Sequence, residues 1–209
     1  MNRPKNTQVP VRKKHISAPP KSRVRDRIMQ TASDLFYCRG IRCVGVDAIA
    51  SEAGTNKMSF YRSFASKDEL VAEYLRSEER KSWQQWDKTV AAHSGDPRAQ
   101  AEALFDALVK KTLRTNDVRG CALANAAVEI AEPDHPARRV VEKYKAEMRR
   151  RFRELALAMG AREPDALADS LMLLWDGSCL TCLTFPGKHG PVRGAANAAR
   201  ALIAAHINQ

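Results

Sequence analysis

The sequence lacks the short motifs that mark common enzymes. It contains no Gly-rich phosphate loop, no G-x-S-x-G and no H-E-x-x-H. No two carboxylates are spaced in a way that indicates acid–base catalysis. We therefore predict that the protein is not an enzyme and needs no cofactor.

Cysteine is scarce and odd in number, with five residues: Cys38, Cys43, Cys121, Cys179 and Cys182. An odd count without an extracellular signal argues against a disulfide framework. Cys179 and Cys182 form a C-x-x-C, but no second ligand pair at zinc-site spacing accompanies them. We expect free, buried cysteines that pack as small apolar residues, and no metal site. A thiol-based redox sensor stays open as a variant.

Residues 1–20 combine many charges with four prolines and few apolar side chains, so we expect no apolar leader there. We interpret this segment as a disordered basic arm. The most apolar stretch, 166–185, is expected to be too short and too interrupted to span a bilayer, so we predict that neighbouring helices bury it. The sequence thus predicts a cytoplasmic protein without a membrane partner.

No segment alternates with the period of two that marks a β-strand, and no repeat is visible. The apolar spacing is helical instead and predicts an all-α fold of about nine helices. Gly40 and Gly54 end the first two. The later helices are expected at 56–64, 67–92, 99–113, 121–131, 137–159, 166–185 and 192–207.

Positive charge is concentrated at one end of the chain. The net charge is +11, and residues 1–27 hold nine basic groups against one acid, so the remainder is nearly balanced. A basic end on a balanced body is typical of a protein that touches a polyanion there. A solubilising tail would have the same composition, so charge alone leaves both interpretations open.

Residues 46–67 have the pattern of a helix-turn-helix. A short amphipathic helix, VDAIASEA, meets a turn at Gly54, and a second short helix, NKMSFYRSF, follows. Phe60 and Phe64 would pack inward, leaving an outward polar set that could present hydrogen-bonding groups to base edges. That set is Thr55, Asn56, Lys57, Ser59 and Arg62. An ordinary helical hairpin with a solvated polar face fits the same pattern.

The sequence from 27 to 75 contains SDLF at 33–36, Gly40, the VDAIA helix, the AG at 53–54, and SFYRSFASKDEL at 59–70. In these ordered elements it resembles the DNA-binding domain of TetR/AcrR transcriptional regulators. The segment 120–139 is similar, more weakly, to early ligand-domain helices of some members. The resemblance implies a helix-turn-helix DNA-binding domain at 21–66 and a ligand-binding and dimerisation domain at 67–209.

The resemblance also assigns roles to individual positions. Tyr61 and Lys67 match side chains that contact backbone phosphates, the lysine with help from a helix N-terminus. Arg62 stands where the family often has His. The positions that match base or phosphate contacts of the recognition helix are Thr55, Asn56, Lys57 and Ser59.

Two positions depart from the family pattern. Gly45 stands where the family usually has Ser or Thr before the second helix, so that hydroxyl contact is absent here. Met58 stands where a small residue is common. It could touch a thymine methyl or pack inward, and we favour packing.

TetR-like proteins are two-fold dimers, so the resemblance implies a homodimer through the last two helices, about 166–207. The contacting face of the first of these helices is expected to comprise Leu167, Leu171, Leu174, Trp175 and Ser178. An intramolecular core in a monomer is the alternative use of the same residues.

The resemblance further implies an unknown small-molecule effector. The candidate ligand-binding residues are Trp83, Trp86, Phe105, Asn125, Glu129, Met172, Trp175 and Asp176. Aromatic residues at helical spacing more often belong to an ordinary core. The three polar candidates could instead pair with a basic residue such as Arg149 or Arg153, or be exposed at the helix surface. We expect at least one of the three to border a cavity between the fourth helix and the 166–185 helix.

Together these features predict a ligand-responsive repressor. It would bind double-stranded DNA at a palindromic operator as a dimer and be released by a small molecule. An activator of the same family and a ligand-independent architectural DNA-binding protein remain as alternatives.

Overall fold

The described part of the chain is helical. The computed structural model describes residues 21–114, 119–185 and 190–207, and the basic arm expected at 1–20 lies outside them. These ranges contain nine α-helices, one short 3₁₀ helix at Pro191–Gly194 and no strand, so the all-α prediction is confirmed. The helices are α1 (Lys21–Arg39), α2 (Val46–Glu52), α3 (Lys57–Ser63), α4 (Lys67–Ala91), α5 (Pro97–Leu113), α6 (Ala122–Glu129), α7 (Pro136–Ala158), α8 (Pro164–Thr184) and α9 (Ala195–Ile207).

Capping side chains explain where two of the helices begin. Before α4, the Ser66 hydroxyl accepts a hydrogen bond from the Glu69 backbone N–H at 3.0 Å. Before α5, the Asp96 carboxylate accepts from the Ala99 N–H at 2.9 Å. Each cap satisfies an N–H that has no helical partner. Helix α5 begins at Pro97, two residues earlier than predicted, because proline suits the first helical position after such a cap.

Helix α4 belongs to two cores. Its first turns bury Leu70, Val71 and Leu75 against α1, and the ring of Tyr74 lies 5.6 Å from that of Phe36. Its later turns pack against α5 and α7 instead. The helix runs 25 residues without a break, so it connects the helix-turn-helix rigidly to the helices that follow.

An aromatic cluster fills the second core. The Trp86 and Phe152 ring centroids are 4.9 Å apart, those of Phe105 and Trp175 5.5 Å, and both pairs meet edge to face, the favourable geometry for aromatic rings. Phe105 and Phe152 are fully buried. The cluster comprises Trp83, Trp86, Phe105, Tyr144, Phe152 and Trp175. These rings hold α4, α5, α7 and α8 together.

Helix α8 has one buried face and one exposed face. Leu171 is fully buried, whereas Leu173 is 74% exposed and Leu180 is 58% exposed. With 21 residues, the helix is long and apolar enough by length and composition to cross a membrane, so the prediction that it is too short was wrong. A core helix of a soluble protein meets the same criterion, and α8 packs along α7 and α9.

The face of α8 predicted to contact a second subunit lies inside this protein. Leu167, Leu171 and Ser178 are buried, and Leu174 and Trp175 pack against the same core. That part of the prediction was wrong, because helical spacing shows that residues share a face but not which neighbour covers it. In α9 the buried residues are likewise intramolecular, namely Ala195, Ala196, Ala199 and Ile203.

We expect Phe152→Ala to lower the free energy of unfolding by about 3–5 kcal/mol, because it empties the centre of the aromatic cluster. Leu157→Ala is the control on the same helix: Leu157 is 48% exposed, and its loss should cost less than about 1 kcal/mol. Denaturant unfolding of both variants at one protein concentration measures the difference. Equal losses of unfolding free energy in the two variants would show that the aromatic cluster does not stabilise the second core.

Candidate nucleic-acid interface

Helices α2 and α3 form a helix-turn-helix around a buried apolar seam. Gly54 adopts a φ of +63° in the turn, and the Thr55 N–H donates to the Ala50 carbonyl at 2.9 Å. That backbone conformation suits glycine, which has no Cβ to clash. Phe60 and Phe64 are buried, as the spacing predicted, so the inner face of α3 is fixed on the domain.

The start of α3 is held by one of the predicted DNA-contact residues. The Asn56 carboxamide oxygen accepts from the Ser59 backbone N–H at 2.9 Å. Asn56 is therefore the N-cap of the candidate recognition helix as well as an exposed side chain at its tip. Thr55 and Ser59, on either side, are partly exposed.

Two cations on the outer side of α3 have weak partners within the protein. The Lys57 ammonium lies 3.2 Å from the Asp47 carboxylate of α2, and both side chains are mostly exposed. An exposed ion pair of this kind is worth about 0–1 kcal/mol, so a phosphate or base could replace it. Arg62 donates to the Met58 sulfur at 3.4 Å.

Met58 does not pack inward, contrary to the sequence-based expectation. Its side chain is 64% exposed. The reason is helical geometry: two residues along an α-helix are about 200° apart, so Met58 points away from the face on which Phe60 is buried.

The two residues expected to contact phosphates border α3. Tyr61 is exposed and packs edge to face on Phe60, with ring centroids 5.3 Å apart. Lys67 lies in the first turn of α4, where backbone N–H groups favour anions. Gly45 precedes α2 without a side-chain cap, as its lack of a hydroxyl implies. All the predicted DNA-contact residues thus lie on α3 or at its borders.

Two arginines of the basic N-terminal end hold the motif in place, a role that the charge count did not predict. The Arg27 guanidinium donates to the Ala53 carbonyl at 3.2 Å, next to the turn. Arg25 donates to Glu73 at 2.5 Å and lies 4.4 Å above the Phe64 ring. The hydrogen bond to Glu73 raises the pKa of Arg25. These two cations therefore orient the helix-turn-helix on α1 and α4.

Comparison with known proteins identifies this arrangement. The family model described as bacterial regulatory proteins, tetR family, matches residues 28–74. The HTH-type transcriptional repressor DhaR from Mycobacterium sp. strain GP1 is 26% identical over 164 residues, which cover 75% of this chain and 81% of that protein. SCO4454, a TetR-family transcriptional regulator from Streptomyces coelicolor, has a crystal structure with a TM-score of 0.78 at 27% identity, covering 89% of this chain and 95% of that one. The chain belongs to the TetR/AcrR family of transcriptional regulators.

Other relatives are similar over a shorter segment or in fold alone. The HTH-type transcriptional repressor KstR2 from Mycolicibacterium smegmatis is 42% identical over 52 residues, 25% of each chain. The reduced form of E. coli NemR has a TM-score of 0.75 at 18% identity, covering 85% of this chain and 95% of that one, which shows a shared fold only.

Glu129 of this TetR-family regulator contacts the DNA-binding domain, although the sequence placed it among the ligand candidates. Its carboxylate accepts hydrogen bonds from the backbone N–H groups of Ile41 at 2.6 Å and Arg42 at 3.1 Å, in the turn before α2. Arg42 in turn donates to the Glu129 carbonyl and, at 2.7 Å, to Glu132. Glu129 is the last residue of α6, so it lies beside this turn rather than over the second core.

Further contacts join the same two parts of the regulator. The Tyr37 hydroxyl accepts from the Arg119 N–H at 2.9 Å, and Asn125 donates to the Arg119 carbonyl at 2.7 Å. Burial raises the pKa of Tyr37, which keeps this phenol neutral. We call the contacts made by Arg119 and Glu129 with α1 and the turn before α2 the interdomain contact. Within the second domain, the His135 ring, which caps α7, lies 3.4 Å from Asp68 of α4.

The third polar candidate, Asp176, forms an ion pair with Lys145 of α7. Pairing with a basic residue was one of the two alternatives, but the expected partners are engaged elsewhere: Arg149 holds Asp169 at 2.5 Å, and Arg153 holds Asp165 at 2.8 Å. Lys145 is the partner because its Nζ reaches Asp176 across the α7–α8 contact, part-buried beside the aromatic cluster.

The apolar ligand candidates lie together in the second core. Trp83, Trp86, Phe105 and Trp175 are members of the aromatic cluster, and Met172 is partly buried against the hydrophobic core. Two open surface clefts lie among the described residues near α4, and neither is lined by Asn125, Glu129 or Asp176. The cavity expected next to one of these three residues is therefore not found at either cleft.

The two clefts lie on either side of α4. One, of about 420 Å³, lies between the end of α4 and α5 and includes His93, Glu102 and Asp106. The other, of about 450 Å³, lies between α4 and α7 and includes Trp83 and Glu147. Hydrogen bonds from Arg150 and Arg151 lower the pKa of Glu147 to about 2, so this carboxylate is ionised and held. Of the ligand candidates, Trp83 lines the second of these two clefts, and the others line neither.

The C-x-x-C cysteines are buried inside α8, as expected for small apolar residues. Burial raises the pKa of Cys179, and Cys182 donates to the Ser178 carbonyl at 3.1 Å. A raised pKa disfavours the thiolate, which is the reactive form.

The positions of Lys57 and Lys67 predict different defects on DNA. Lys67→Ala should weaken binding about equally on specific and random duplexes and reduce the salt slope by about 1, because a phosphate carries no sequence information. Lys57→Ala should reduce the difference in binding free energy between specific and random duplexes by about 1–3 kcal/mol. Salt-dependent titrations of both variants on both duplexes test this. An unchanged difference for Lys57→Ala would contradict its base-reading role.

The interdomain contact predicts a local effect of Glu129. Glu129→Ala should speed hydrogen exchange in the turn at 40–45 by about ten-fold, because two backbone N–H groups lose their acceptor. Exchange in α7 should stay unchanged. Glu132→Ala, which removes only an exposed ion pair with Arg42, is the matched control. Faster exchange throughout the regulator would instead indicate global destabilisation.

Proposed function

We propose that this regulator is a repressor that binds a palindromic operator as a homodimer and leaves it when a small molecule occupies its second domain. The exposed apolar face of α8 is the observation that carries the dimer. DNA binding follows from the family, and the names of DhaR and KstR2 as repressors support repression over activation. The protein would bind its operator in the cytoplasm, where the DNA is.

The dimer would form through the sides of α8 and α9 that face away from the core. Leu173 and Leu180 lie seven residues apart, two turns along one helical face, with Gly177 exposed between them. Phe185, just after α8, and Ala201 of α9 are also exposed. Exposed apolar surface of this kind marks an interface. A second copy fits because a two-fold axis would pair the small residues closely and present two reading heads.

We assign DNA contacts to the residues at α3 and its borders. Lys57 and Arg62 are exposed cations that can reach bases or phosphates, and Tyr61 and Lys67 stand where backbone phosphates would pass. The full proposed set is Thr55, Asn56, Lys57, Ser59, Tyr61, Arg62 and Lys67. We keep 21–66 as the DNA-binding domain and 67–209 as the regulatory domain.

Effector binding would act through α4 and the interdomain contact. A ligand changes DNA affinity only if it binds one arrangement of the two domains better than the other. The aromatic cluster lies beside the Lys145–Asp176 pair, so an apolar or cationic effector that separates these rings would shift α4. Of the ligand candidates, we retain Trp83, Trp86, Phe105, Met172, Trp175 and Asp176, and place Asn125 and Glu129 in the coupling between domains.

A ligand-independent architectural DNA-binding protein is the second candidate, and the basic N-terminal end favours it. Footprinting separates the two proposals. A repressor should protect one palindrome of defined length, whereas an architectural protein should protect DNA broadly.

Selection of duplexes from a random pool should return an inverted repeat bound by two chains. Leu180→Glu should convert the dimer to a monomer in sedimentation and lower affinity for the repeat by about 100-fold or more, because it buries a charge in an apolar contact. The matched control is Leu157→Glu, which places the same charge on an exposed part of α7. A monomeric wild-type protein, or a Leu180→Glu dimer, would contradict the proposed interface.

A further inference from the structure

Met58 is an exposed apolar side chain on the helix that faces DNA. It is 64% exposed, although the same helix buries Phe60 completely. The helix has only seven residues, and Met58 occupies its outer face in the first turn, the part of a recognition helix that reaches base edges. Core packing therefore does not account for a large apolar residue at this position.

The surroundings of Met58 are cationic and polar. Lys57 precedes it, and Arg62 lies one turn later with its guanidinium donating to the Met58 sulfur at 3.4 Å. In this setting an apolar partner must come from the nucleic acid. The major groove displays donors and acceptors at every base pair, and its apolar group is the C5-methyl of thymine. Methionine is flexible and polarisable, so it can fit such a methyl closely.

We propose that Met58 determines part of the sequence specificity by contacting a thymine C5-methyl group in each half-site. This proposal rests on the proposed operator binding and specifies one of its contacts, between Met58 and the C5-methyl group of one thymine. Because Met58 and Arg62 are in contact, the thymine lies at or next to the base pair that Arg62 reaches. The thioether also restrains the Arg62 side chain on the outer face of α3.

Replacing thymine by deoxyuridine tests the contact, because it removes the methyl group and leaves base pairing and the O4 acceptor unchanged. The probe is the duplex that the wild-type protein selects from a random pool. Each thymine is replaced singly, and symmetry-related thymines are also replaced together. Binding of wild type, Met58→Ala and Met58→Leu is measured on every duplex.

One thymine per half-site should be sensitive in the wild type. Its replacement in one half-site should weaken binding about four-fold, the loss expected for one buried methyl group. Replacement in both half-sites removes two methyl groups and should weaken binding about fifteen-fold. Met58→Ala should weaken binding to the unmodified duplex by a similar factor and be insensitive to deoxyuridine at that position. Met58→Leu, which keeps an apolar side chain without the sulfur, should remain sensitive.

Three results would overturn the proposal. Equal sensitivity of wild type and Met58→Ala at every thymine would show that another group contacts the methyl. A Met58→Leu variant that behaves like Met58→Ala would show that the sulfur acts through Arg62 alone. A pool that yields no preferred duplex would refute operator binding as well, whereas the first two results leave operator binding intact.

Discussion

Burial of two apolar stretches of the one helix α4, the first at Leu70–Leu75 and the second at Trp86, is the constraint on which the rest of the structure depends. Leu70 and Leu75 complete the core of the helix-turn-helix, and Trp86 enters the aromatic cluster three turns later. The intervening backbone hydrogen bonds make α4 a rod, since an α-helix bends sharply only at a proline, a π-bulge or a similar interruption. Any change that tilts α4 in the second core must therefore move its first turns, which pack on α1, the helix that contacts both α2 and α3.

The interdomain contact is polar where the two cores are apolar. Glu129 supplies one carboxylate to two N–H groups of a turn, and the Tyr37 hydroxyl of α1 accepts from the Arg119 backbone N–H. Hydrogen bonds of this kind contribute about 0.5–1.5 kcal/mol each net of water, and more where a charge is involved. They are strong enough to define one arrangement of the domains and weak enough to be exchanged for another.

The basic side chains near the DNA surface divide into two groups. Arg25 and Arg27 are anchored within the protein by Glu73, the Phe64 ring and a backbone carbonyl. Lys57 has only an exposed pair with Asp47, which costs little to break. The first group holds the helix-turn-helix in its conformation. Lys57, in contrast, can exchange its Asp47 partner for a polyanion. Net charge alone does not distinguish these roles, because it counts both groups equally.

The sequence by itself determined the helical fold, most helix boundaries to within a few residues, and the helix-turn-helix, because these depend on local spacing, caps and glycines such as Gly54. The family resemblance of 27–75 extended this to the DNA-contact positions, which stay predictions. Tertiary structure alone decided which face of α8 is buried, that Glu129 meets the turn at Ile41, and that Lys145 is the partner of Asp176. The physical reason is that periodicity shows which residues share a face of one helix, whereas the partner of that face comes from residues distant in sequence.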